Sequence, residues 1–134
     1  MTARNRELVE RFFAALSKGE FPEGLLTGDT AIWTLTGGAG TKEKFLDGVK
    51  LLQSLFPKGL TYTIDTLVAD ETGASAEVQS AGVLSTGETF HNVHVFTFGF
   101  QNGRIASVKE YQNPDPVRAQ LVPLMQAAMQ KARA

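Results

Sequence analysis

Two alternating runs meet at Asn102-Gly103, and this stretch, residues 89–111 (TFHNVHVFTFGFQNGRIASVKEY), constrains the fold more than any other in the chain. Gly reaches positive φ without steric penalty and Asn tolerates it, so Asn-Gly between β-rich runs specifies a hairpin. Two registers are open. A two-residue loop, Asn102-Gly103, sets His94 opposite Tyr111, whereas a three-residue loop, Gln101-Asn102-Gly103 with Gly103 as the bulge residue, sets His94 opposite Glu110. We favour the second. It sets Phe100, Phe98 and Phe96 against Arg104, Ala106 and Val108, and extends that face through His94 with Glu110 to Asn92 with Gln112. The reverse face then carries Val93, Val95, Thr97 and Gly99 against Tyr111, Lys109, Ser107 and Ile105. One face therefore has an apolar floor ending in four polar side chains, the makeup of a pocket wall.

The rest of the chain supplies cover for such a sheet. Leu8, Val9, Phe12, Phe13 and Leu16 recur at helical spacing, which predicts an amphipathic helix over residues 4–18 with Lys18-Gly19 as its stop. Residues 21–26 suit a short second helix, and residues 29–36 alternate as a strand with Trp33 and Leu35 on one face and Thr30, Ile32, Thr34 and Thr36 on the other. Gly37-Gly38-Ala39-Gly40 lacks the spacing of a phosphate-binding loop and reads as a turn. Thr41 is an N-cap candidate for a helix over residues 42–56, buried through Phe45, Val49, Leu52 and Phe56 and ended by Pro57-Lys58-Gly59. Strands are expected over residues 60–70, 74–85, 89–101 and 104–113. Helices followed by an antiparallel meander predict an α+β fold, with the helices packed on one face of a curved sheet. Residues 113–134 form a helical tail, opened by Asn113-Pro114 and interrupted at Pro123, that closes over the sheet or reaches a partner subunit.

Asn92-x-His94-x-Phe96-x-Phe98, then Asn102-Gly103-Arg104-Ile105, then Lys109-Glu110-Tyr111, resembles the closing strands of SnoaL-like proteins in the nuclear transport factor 2-like (NTF2-like), ketosteroid isomerase-like superfamily. Many relatives carry Tyr at the position of His94. The order α-α-β-α-β-β-β-β plus a C-terminal helix is similar to that superfamily's cone over nearly the whole chain. The resemblance implies one SnoaL-like domain over residues 1–134, with a curved, mixed, mostly antiparallel sheet covered on its concave face by N-terminal helices. It also implies a homodimer formed through the sheets. It does not imply one reaction, because the superfamily spans cyclases, isomerases, dehydratases, epoxide hydrolases and non-catalytic binders.

His94 and Glu110 are the candidate catalytic pair. A His oriented by a carboxylate is a usable acid or base near neutral pH, and the resemblance to polyketide cyclases implies an acid/base role for Glu110. The alternative is a cross-strand polar pair that satisfies itself inside the cone. Asn92, Gln112 and Gln79 are candidates to position a substrate, and Trp33, Tyr62, Phe96 and Val108 to line a hydrophobic site. Glu77 shares a strand face with Gln79, but no Arg accompanies it, unlike the water-activating set of limonene epoxide hydrolases. Ketosteroid isomerases place a Tyr in the first helix and an Asp after the first strand. Here Phe12 and Phe13 occupy the helix and residues 36–41 contain no acid. His91 points away from the pocket face. The expected ligand is a small hydrophobic, carbonyl-bearing molecule handled by proton transfer. The alternative is a non-catalytic ligand-binding or dimerisation module.

Composition limits the partners. Thirteen basic against fourteen acidic residues give a formal charge of −1, and no basic cluster is interleaved with aromatics, which argues against nucleic acid. The absence of cysteine removes disulfide and thiol chemistry and is compatible with a reducing cytoplasm, where we expect the protein. No leader-like or membrane-length apolar run occurs, so a soluble, unprocessed chain is expected. Two His without a third ligand do not make a zinc site, and no metal or organic cofactor is implied.

Overall fold

Both Asn102 (φ 53°) and Gly103 (φ 76°) take left-handed backbone conformations, so the hairpin closes on a two-residue turn of the I′ type. The computed structural model describes residues 2–133. The strands flanking the turn lie in the middle of the sheet, and the remaining elements are arranged around them. Helix α1 (Thr2–Ser17) is followed by a 3-10 turn (Glu23–Leu25), strands β1 (Leu26–Thr34) and β2 (Gly38–Gly40), and helix α2 (Lys42–Leu55). Strands β3 (Leu60–Ala69), β4 (Ala74–Val83), β5 (Thr89–Gln101) and β6 (Arg104–Gln112) follow. The tail comprises α3 (Pro114–Pro116), a wide π turn (Val117–Leu121) and α4 (Val122–Arg133).

The six strands form one sheet in the order β2-β1-β6-β5-β4-β3. All neighbours are antiparallel except β1 and β6, so the sheet is mixed, as expected. The predicted second helix over residues 21–26 is only the 3-10 turn. Leu26 is instead drawn into the sheet opposite Ile105, where it is fully buried.

The hairpin register departs from expectation. The turn sets Gln101 opposite Arg104 and Phe100 opposite Ile105, but Gly99 pairs with Ser107, which leaves Ala106 as an extra residue in β6. Beyond this bulge His94 faces Gln112 and Glu110 faces Phe96, rather than His94 facing Glu110. The bulge returns the even-numbered residues of both strands to one face, as a three-residue loop would have done. It also turns Ile105 into the core, where it is inaccessible, and not onto the reverse face.

Helix α1 lays its apolar stripe across the concave face. Phe13 packs edge-on to Phe96 (centroids 4.9 Å apart) and Phe12 edge-on to Phe98 (5.4 Å), and each such pair contributes about 0.5–1.5 kcal/mol beyond burial. The same helix caps the free edge of the sheet. Arg6 Nη1 donates to the Leu67 carbonyl, Asn5 Nδ2 to the Asp70 carbonyl, and the Tyr62 amide to Ser17 Oγ at 2.8 Å. Thr41 caps α2 by accepting the Lys44 amide, a contact worth about 1 kcal/mol.

The tail turns back over the cone. Asn113 caps it through the Asp115 amide, and Val117 and Leu121 are buried against Leu55, Phe56, Leu60 and Phe90. The irregularity expected at Pro123 takes the form of the π turn immediately before it, closed by the Val122 amide on the Val117 carbonyl. No helix among the described residues is long and apolar enough to cross a membrane.

Candidate functional site

Between the concave face, α2 and the tail lies a cavity of about 350 Å³. Ile32, Phe45, Leu52, Phe90, Phe96 and Leu121 make most of its wall apolar, and a few polar groups converge within it. On β5 the inward positions are Phe90, Asn92, His94, Phe96 and Phe98, all buried. On β4 they are Ala76, Val78 and Ser80, each 1% exposed.

This alternation places Ser80 and His94 diagonally across the β4/β5 ladder, with Ser80 Oγ 2.8 Å from His94 Nε2. On the ring's other side, His94 Nδ1 lies 2.9 Å from Glu110 Oε2. That approach meets the distance of an ion pair but not the alignment of a hydrogen bond, and Nδ1 has no other partner. The ring is flanked by Tyr62 and Phe96, with centroids 6.0 and 5.6 Å away. Burial raises the Tyr62 phenol far above its ordinary value, and the neighbouring Glu110 carboxylate adds to the shift, so the hydroxyl stays protonated. At the mouth, Gln112 Nε2 donates to Thr36 Oγ1 at 3.2 Å.

Of the residues picked out from sequence, His94, Glu110, Tyr62, Phe96 and Gln112 line the cavity. The others do not. Trp33 lies on the reverse face against Tyr111, with centroids 5.0 Å apart, because Ile32 and Thr34 take the inward positions of β1. Glu77 and Gln79 share a face, as the alternation required, but it is the outer one, since Ala76 and Val78 point in. There Glu77 hydrogen-bonds Thr66, while Gln79 bridges Asp65 and His91 at 2.8 Å each. Asn92 is 2% exposed and is used internally: its Nδ2 donates to the Asn113 carbonyl and Gln112 Oε1, tying β5 to the start of the tail. Val108 is core, opposite Phe98.

Sequence reasoning missed Ser80, the mouth residues Thr34, Thr36 and Lys44, and the tail's Leu121 and Met125. For Ser80 there was a usable signal, because it shares the parity of Ala76 and Val78, the apolar side of β4. Among the described residues no set of three His, Cys, Asp or Glu side chains converges as a metal site.

No protein-family profile matches the sequence, and no curated protein matches it. Solved structures do. An NTF2-like protein from Anabaena variabilis aligns with a TM-score of 0.72 at 23% identity, over 83% of this chain and 87% of its own. AclR, a candidate hydroxylase from Streptomyces galilaeus, aligns with a TM-score of 0.81 at 14% identity, over 90% and 97%. A candidate SnoaL-like polyketide cyclase from Jannaschia sp. CCS1 gives 0.74 at 14% identity, over 87% and 90%.

The chain has an NTF2-like fold. Identities this low make the likeness one of architecture, and the neighbours carry differing descriptions on it. What the NTF2-like cone contributes here is a concave sheet whose inward positions on β4, β5 and β6 bring Ser80, His94 and Glu110 into one line.

Proposed function

We propose that the cavity binds a small hydrophobic, carbonyl-bearing molecule and that Glu110 transfers a proton on it. His94 serves as its partner or as the base itself. The observation that carries this reading is a carboxylate lining a mostly apolar cavity while one of its oxygens lies 2.9 Å from a buried imidazole. Such a group works as a general acid or base because most of the wall around it is apolar and its partner is held in place. The Tyr62 hydroxyl, which keeps its proton, and Gln112 are among the donors lining the cavity that could polarise a carbonyl oxygen. Hydroxylase and SnoaL-like cyclase descriptions among the structural neighbours are compatible with this chemistry. The test is incubation of the protein in D2O with a panel of hydrophobic cyclic ketones, reading deuterium uptake next to the carbonyl by NMR. Uptake above the buffer rate is expected. Binding without uptake would favour the non-catalytic module.

We infer further that two copies associate through their outer sheet faces. Val93 (49% exposed), Val95 (39%) and Tyr111 (43%) stand together on β5 and β6, with Trp33 against Tyr111. A contiguous apolar surface on a sheet is favourable to bury.

A further inference from the structure

Ser80 has no part in the chemistry above, yet its hydroxyl is buried against the ring of His94. Among the described residues, Nε2 of that ring is the hydrogen-bonding partner of Oγ, and no second acceptor is present for its proton. If Nε2 carried a hydrogen, it would donate to Oγ and leave the buried hydroxyl proton without an acceptor among the described residues, which is costly for a buried donor. At the other end of the ring, an unprotonated Nδ1 would set its lone pair beside a carboxylate oxygen 2.9 Å away, where like partial charges repel. Both ends therefore require the same tautomer, with hydrogen on Nδ1 toward Glu110 and the Nε2 lone pair accepting from Ser80.

We infer that Ser80 is a positioning residue: it holds His94 in the Nδ1–H tautomer and occupies the ring's one basic nitrogen, so that Glu110, not His94, exchanges the proton with substrate. This rests on the acid/base reading of the cavity and decides between the two roles left open there. Glu110 turns Oε2 to the imidazole, and Oε1 has no hydrogen-bonding partner among the described residues in a side chain that lines the cavity. Tyr62, the other titratable group facing the ring, remains a neutral phenol and does not compete for the proton.

The tautomer can be read without a substrate. Long-range proton–nitrogen correlation spectra of the 15N-labelled full chain at neutral pH distinguish the two ring nitrogens of each His. His91→Gln, on the outer face, identifies which pattern belongs to His94. The expected result is a protonated Nδ1 and an unprotonated Nε2, with the Nε2 signal moving downfield in Ser80→Ala as its donor is lost. A hydrogen on Nε2, a doubly protonated ring, or an unmoved Nε2 signal in a folded Ser80→Ala protein overturns the inference. If Ser80→Ala does not fold, the wild-type tautomer alone decides. An Nδ1–H tautomer without deuterium uptake in the ketone assay overturns the proton-transfer reading alone. Uptake accompanied by a hydrogen on Nε2 overturns the role of Ser80 alone.

Discussion

His94 Nδ1 and Glu110 Oε2 lie 2.9 Å apart although the two residues are not cross-strand partners, since His94 pairs with Gln112 and Glu110 with Phe96. The contact is diagonal, and it exists because the extra residue Ala106 shifts β6 by one position along β5 and so brings Glu110 to the same face as His94. Two paired strands and the tail junction at Asn92 hold the geometry in place. The His94–Glu110 contact is therefore positioned by the sheet and not by a loop.

Tyr62 should keep its proton in alkali for as long as the protein stays folded. Burial, followed by the charge of Glu110, raises the Tyr62 phenol, so the folded protein keeps that proton where an unfolded chain would lose it. The stability Tyr62 contributes is fully present below the ordinary tyrosine value of about 10 and is lost progressively as pH rises from there toward the raised folded value. Ultraviolet titration of a Tyr111→Phe protein should show the Tyr62 phenolate appearing only on alkaline unfolding. Ionisation of Tyr62 near the ordinary tyrosine value in the folded protein would contradict this.

Asp70 should make the β3/β4 turn sensitive to acid. Its Oδ1 accepts from Thr72 Oγ1 at 2.7 Å, the Thr72 amide at 2.8 Å and the Gly73 amide at 3.0 Å, and these bonds lower its pKa, the Thr72 hydroxyl most. A lowered folded pKa gives stability that is present above the unfolded carboxylate value and lost as pH falls through the folded one. Asp70→Ala should melt below wild type at pH 7, and the gap should close in strong acid. A gap that persists in acid would assign the effect to something other than the carboxylate.

Phe12→Ala should cost about 3–5 kcal/mol by chemical denaturation. Phe12 is inaccessible and touches Phe13, Phe45, Phe96 and Phe98, so its removal leaves a void that rigid neighbours cannot close. A loss below about 1 kcal/mol would mean that α1 does not seal the cone through this residue.

Light scattering at micromolar concentration should report a dimer, and Val95→Glu should return a monomer with an unchanged melting profile at low concentration. A monomeric wild-type protein would remove the outer face as an interface.

Much of this arrangement was legible in the chain. Alternation in residues 89–111 specified which side chains share a face along β5 and from Val108 onward on β6, because a strand's side-chain period is two. It put Ile105 on the wrong face, since the bulge breaks that period at Ala106. The register was not legible, since nothing in Gly99-Phe100 or Ala106 signals an extra residue. For β4, alternation gave the grouping of Glu77 with Gln79 but not which group faces inward. That is decided by the aromatics of α1, which need Ala76 and Val78 beneath them. Trp33 misled for a related reason: alternation in β1 separated it from Thr30 and Ile32 but did not say which side faces inward, and the buried side is that of Thr30 and Ile32. Ser80 is small and mildly polar, and only the β4/β5 register brings it to His94.

The most direct test of the central claim compares deuterium uptake into a bound cyclic ketone by wild-type protein and by Glu110→Gln, with folding of both checked by thermal melting. The amide keeps the shape and cannot accept the proton, so uptake should fall by about 10²- to 10⁴-fold while ketone binding persists. Equal uptake by a folded Glu110→Gln protein would contradict the account.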